Sequence, residues 1–229
     1  MTTSPLDVLR DATIIAGKDL RIEARSKVAI NQVLPFVLAV VLLFGFALDA
    51  ETTLLRRVTS GLFWVTVLFA TVIIVQRTFA IERNDGVLDA LRLSGLHPSG
   101  IFLGKVISLV VQLIVIEVTL GIAVVVFYDV TLSGGALLLV TTASATVGIA
   151  AAGALYGPLA AGARHRDTLL PLLLLPVLAP LLLASARAFE VALGRGVGGG
   201  WQWAAMLGIF ALVYLTLGVA VWGPLLEDS

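Results

Sequence analysis

The sequence predicts an all-α integral membrane protein with six transmembrane helices. An N-terminal interfacial helix precedes them, and a cytoplasmic coupling helix lies between the second and third spans. Three observations predict this. Apolar residues make up 59% of the 229 residues, with a mean hydropathy of +1.05. Charged residues are only 13%, against about a quarter in soluble domains. The apolar residues also gather into six runs, each near the about 20 residues that crossing hydrocarbon requires. Residues 1–229 then form one transmembrane domain, with the interfacial segment at 1–27 and the six-helix bundle at 28–226.

The first 27 residues are too polar to cross. On a helical wheel Leu6, Leu9, Ala16 and Leu20 share one side, and Arg10, Asp11, Lys18, Arg21 and Arg25 fall broadly opposite. That predicts a helix lying in the interface with its bases near anionic headgroups; a solvated leader is the alternative. Residues 1–29 mix acids and bases and lack the apolar centre of a signal peptide.

The spans are expected at 28–48, 58–80, 101–127, 136–163, 168–188 and 201–226. The fourth repeats small residues at a spacing of four, Ser144/Gly148/Ala152 and Gly153/Gly157/Ala161, a pattern that lets helix backbones approach closely. The fifth reads "LLPLLLLPVLAPLLLA". Pro171, Pro176 and Pro180 each remove a backbone donor and crowd the carbonyl one turn back, which predicts a bent helix, either a static kink or a hinge. Trp201 and Trp203 follow a glycine-rich turn and suit the outer interface.

Loop cations set the orientation. Eleven Lys and Arg fall on the side of the N-terminus, the second-to-third connection and the fourth-to-fifth connection; four, Arg56, Arg57, Arg187 and Arg195, fall opposite. The excess marks the cytoplasmic side, and with six spans both termini lie there.

Between the second and third spans stands a polar island, "IERNDGVLDALRLSGLHPSG", residues 81–100. Asn84 or Asp85 can start a helix and Gly95 can end it, with Pro98 beyond. A force on such a helix moves both flanking spans. An ordinary interfacial loop helix has the same composition.

Several chemistries are excluded. Cysteine is absent, so disulfides, thiolate metal sites and thioether heme attachment are ruled out. No phosphate-cradling G-x-x-x-x-G-K-[ST] occurs. His97 and His165 are the only histidines, both in predicted loops, and neither makes a good axial heme ligand. There is no metal-ligand cluster, no catalytic constellation and no nucleic-acid patch. Glu117 lies in the middle of the third span, with Gln112 more than one turn earlier. A buried acid costs about 2.5 kcal/mol or more and needs a partner. It is a gate or a subunit contact, or else a glutamic acid bonded to a neighbouring helix.

"ERNDGVLDALRLSGLHPSGIFLGK" resembles the E-R-x-x-G-x-L-[DE]-x-L segment of ABC-2-type transporter permeases. Together with "AGKDLRIEARSK", "LPFVLAVVLLFGFAL" and the triple-proline span, it resembles the CcmB family, the permease subunit (heme exporter protein B) of the cytochrome c maturation ABC transporter. The likeness runs along nearly the whole chain.

That resemblance implies a bacterial inner-membrane, non-catalytic permease. It would pair with itself and bind two copies of a separate ATPase, CcmA, which holds the ATP. It would work beside CcmC, which handles heme, and CcmD, with hydrolysis driving heme delivery or release of the heme-loaded chaperone CcmE. Glu82, Arg83, Asp85, Gly86, Leu88, Asp89 and Leu91 would dock the ATPase. No cofactor or metal would bind this chain. The alternatives are an ABC-2-type permease for another substrate, or a membrane scaffold without a translocation path.

Overall fold

A computed structural model describes residues 4–27, 29–84, 95–161, 166–196 and 198–228. Among these residues are seven α-helices, one π-helical turn and no strand.

Helix α1 covers Pro5–Ser26. The Ser4 hydroxyl accepts the Leu6 N–H at 3.3 Å, and Pro5 occupies the first turn, where its missing donor costs nothing. Lys27 ends the helix in the left-handed conformation, its N–H bonded to the Glu23 carbonyl. The helix falls where the sequence predicts it. Leu6 and Leu9 are 74% and 56% exposed, Leu20 is half-buried, and Asp11 turns inward from the predicted polar side. Ala12, Ile15, Ala16 and Asp19 are the residues buried. The cause is the partner surface. A Cβ on Gly104 would lie 2.6 Å from the Ile15 Cβ and 2.7 Å from the Ala12 carbonyl, and one on Gly100 would meet Asp11 at 2.7 Å. The two glycines leave room for Ile15 and for the α1 backbone at Ala12.

The first predicted span, 28–48, is not one regular helix. Ala29–Val33 forms the π-turn and α2 covers Leu34–Ala47. Pro35 lacks an N–H and its ring crowds the carbonyl of Asn31, so the preceding turn widens. The remaining spans are helices α3 (Thr52–Asn84), α4 (Pro98–Tyr128), α5 (Gly135–Ala161), α6 (Arg166–Ala192) and α7 (Gly200–Asp228). Among the described residues five helices are long and apolar enough to cross a membrane, or six if the bent pair of Pro5–Ser26 and Asn31–Ala47 is one span. Asn84, one of the two candidate starts for the coupling helix, is helical within α3, and residues 85–94 lie outside the described residues.

Helix α5 packs against α3, α4, α6 and α7. Its small residues do what their spacing predicts. Gly148 faces Leu181 of α6 and Ala211 of α7, and Gly157 lies directly over the Phe79 ring of α3, where a Cβ would overlap that ring. Phe63 stacks on Phe189 with ring centroids 4.9 Å apart, joining α3 to α6. The Tyr128 hydroxyl donates to the Val41 carbonyl at 2.7 Å and ties α2 to α4. Helix α6 runs unbroken through Pro171, Pro176 and Pro180, with Leu170, Leu174, Leu178 and Leu181 buried and Pro176 and Pro180 exposed. Polar side chains inside the spans are mostly satisfied on their own helix. Thr59, Thr66, Thr71 and Ser185 each donate to the carbonyl four residues back, at 2.7 or 2.8 Å.

Candidate functional site

The polar island leaves α3 at its C-terminal end and rejoins the bundle at the start of α4. Glu82 and Arg83 are helical by their backbone, within α3. Asp85, Gly86, Leu88, Asp89 and Leu91 lie outside the described residues, as does His165. At the return, Gly95 takes φ 70°, the left-handed conformation that suits a helix end. His97 then caps α4 in an extended conformation, and Pro98 occupies its first turn.

Three helices are tied together at this end. The His97 backbone N–H donates to Asp11 Oδ2 of α1 at 2.9 Å, so a side chain of another helix satisfies an open donor at the start of α4. The His97 ring bonds the Ser99 hydroxyl at 3.0 Å through Nδ1. Two turns further along α4, Lys105 Nζ donates to Asp19 Oδ2 at 2.7 Å, with Lys18 Nζ 3.1 Å from the other carboxylate oxygen. The Lys105 and Asp19 side chains are 1% and 6% exposed. Lys105 also stands over the Phe79 ring of α3 at 5.6 Å, within cation–π range. One ammonium thus touches α1 and α3 from α4, close to both ends of the 85–94 segment.

The sequence places Asp11 on the polar side of the first helix but marks none of Asp11, Asp19, Phe79 and Lys105 as a site residue; 86 residues separate Asp19 from Lys105. The available signal was the Gly100/Gly104 spacing next to Lys105, together with two acids eight residues apart on α1. Asp19 and Lys105 come from two of the segments that carry the family resemblance, "AGKDLRIEARSK" and "GIFLGK", and the fold brings these segments into contact.

The two polar residues predicted within the third span are not brought together. Gln112 Nε2 turns back to the Ser108 carbonyl and hydroxyl at 3.3 and 3.2 Å. Glu117 is 4% exposed, with the Thr146 hydroxyl of α5 2.8 Å from each of its carboxyl oxygens. It borders an apolar cleft of about 710 Å³ between α4 and α5, whose walls include Val118, Ile122 and Leu139. Pro171, Pro176 and Pro180 stand apart from this pair on α6.

Long apolar helices, buried polar groups bonded at home and a charged segment at one end define a multi-pass helical membrane protein. Comparison with known sequences narrows this: the CcmB protein model matches residues 10–223, and the chain belongs to that family. Similar proteins include heme exporter protein B of Paracoccus denitrificans, 29% identical over 89% of this chain and 91% of the relative. Heme exporter protein B of Haemophilus influenzae is 29% identical over 89% and 91%. That of Pseudomonas aeruginosa is 26% identical over 91% and 94%.

Proposed function

We propose that this chain is the transmembrane subunit of an ABC transporter complex for cytochrome c biogenesis. It turns ATP hydrolysis by a separate ATPase, CcmA, into a rearrangement that delivers heme or frees the heme-loaded chaperone CcmE on the periplasmic side. It sits in the bacterial inner membrane with both termini cytoplasmic, works as a homodimer beside CcmC and CcmD, and leaves heme to those partners. The observation that carries the reading is the family match over residues 10–223. The excess of cations on the predicted inner side supports the orientation.

The tie at Lys105 supplies a mechanical route. An ATPase gripping residues 82–91 would push on α3 and α4 at once. Because Lys105 contacts Asp19 and Phe79, and Asp11 holds the start of α4, α1 would follow the same push. Rigid helices joined in this way carry a local displacement along their length.

The test is co-purification with CcmA, with and without charge reversal at Glu82 and Asp89. Loss of the complex and of ATPase stimulation is expected; an intact, stimulated complex would refute docking through this segment. One observation favours a second reading, a scaffold without a translocation path. The polar groups of α4 are taken up locally, Gln112 by Ser108 and Glu117 by Thr146, instead of lining a channel. Assembly of CcmC and CcmD that survives loss of ATPase stimulation would select it.

A further inference from the structure

At the end of the bundle opposite the 85–94 segment, three of the four arginines counted on that side converge. Arg56, Arg57 and Arg195 line a cavity of about 450 Å³, together with Thr53, Ser60 and Glu190. Asp49 and Glu51 precede the first turn of α3, but neither lines the cavity, whose one acid is Glu190. Arg56 pairs with Asp129 through one terminal nitrogen, while its Nε is buried without a partner. Glu190 already accepts from Arg187 at 3.2 Å and from Ser60 at 3.3 Å. Arg195 donates to the Arg56 backbone carbonyl, a neutral acceptor, which draws two guanidinium groups together. Partial burial, and then the positive charge of Arg56, lower the Arg195 guanidinium from its ordinary range. Arg57 is exposed and pairs with no carboxylate among the described residues. The wall of the cavity also carries the first turn of α3, whose free N–H groups and dipole favour negative charge.

The lining sets three guanidinium groups against one carboxylate, and guanidinium forks match the oxygens of a phosphate or carboxylate in bidentate fashion. We propose that the Arg56–Arg57–Arg195 cavity is a binding site for a phosphate group at the far end of the bundle. The cavity lies where helices leave the membrane, so the phosphate has two physical sources: the headgroup of an anionic phospholipid in that leaflet, or free phosphate in solution. Arg56 and Arg195 form the fixed floor of the site, and Arg57 closes on the ligand from the exposed rim.

The test uses the full purified chain in detergent, titrated with phosphatidylglycerol or phosphatidylcholine and read by native mass spectrometry. A parallel arm titrates inorganic phosphate by calorimetry. Retention of phosphatidylglycerol over phosphatidylcholine is expected, and R57Q and R195Q are each expected to weaken it at least about tenfold, the loss of one charge-assisted contact. R57Q removes an exposed side chain and leaves helix packing alone, so it decides the matter even if R195Q misfolds. The R21Q/R25Q double variant, at two exposed positions of α1, controls for binding at other cationic surfaces and should leave the R57Q effect intact. Binding of inorganic phosphate that R57Q weakens, with no lipid preference, assigns the site to a soluble ligand. Phosphatidylglycerol retention unchanged by R57Q, or no binding of either probe, overturns the proposal.

Discussion

Replacing Lys105 by methionine keeps the length of the side chain and removes its charge, leaving Asp19 buried. At 2.7 Å and an effective dielectric of about 20, the lost attraction is about 6 kcal/mol before desolvation is counted. Removing one member of a buried pair costs about 3–5 kcal/mol net, because the other charge stays buried. Lys18 still reaches the other Asp19 oxygen at 3.1 Å and is itself 31% exposed, so the low end applies, about 3 kcal/mol. This energy holds α1 on α4, so the change should appear as local opening. Hydrogen exchange of the α1 amides at 12–19 should speed up about a hundredfold in K105M, with α5 amides unchanged. The double variant D19L/K105M, in which both charges give way to apolar groups, should recover much of the protection. Exchange in α1 that does not differ between K105M and the native chain would refute the claim that this pair clamps the helix.

Gly104→Ala places a methyl where Ile15 and the Ala12 carbonyl already are; we expect a loss of about 1–3 kcal/mol and faster exchange at the same α1 amides, read in the same experiment. Thr146→Val and Glu117→Leu should differ in an instructive direction. T146V strands the buried Glu117 without its partner and should cost about 1–3 kcal/mol. E117L leaves Thr146 bonded to the Thr142 carbonyl at 2.7 Å and should cost less. Tryptophan-fluorescence melting of the two variants ranks them. The isosteric E117Q tests whether the charge itself matters: we expect complex assembly and cytochrome c maturation to persist, and loss of maturation with assembly intact would assign the charge a function. The purified chain should show no stoichiometric Soret band with an axial-ligand shift, since its histidines are poorly suited to hold heme iron.

What was legible in the sequence is the part governed by solvent. Helices α3 to α7 fall close to the predicted spans because runs of this length and hydropathy must satisfy their backbone within one helix. The small residues of α5 announce close packing, and Gly148 and Gly157 deliver it. The irregularity before α2 follows from Pro35 but was lost in a run of otherwise uniform hydropathy, which carries no internal punctuation. The contact between α1 and α4 was not legible: a helical wheel sorts residues by polarity, whereas here Ala12 and Ile15 meet the glycines of α4 and Asp19 meets its Lys105.

By itself the sequence determined the class of protein, its low charge content and the approximate place of most helices. These depend on quantities that add along the chain: transfer free energy and charge count. Only the tertiary structure decided that Asp19 meets Lys105, that Asp11 holds the start of α4, that Glu117 bonds Thr146 instead of Gln112, and that Arg56, Arg57 and Arg195 share one cavity. Each of these joins residues far apart in the chain across helix contacts. Their pairing depends on helix rotation and backbone separation, which no local pattern of polarity specifies.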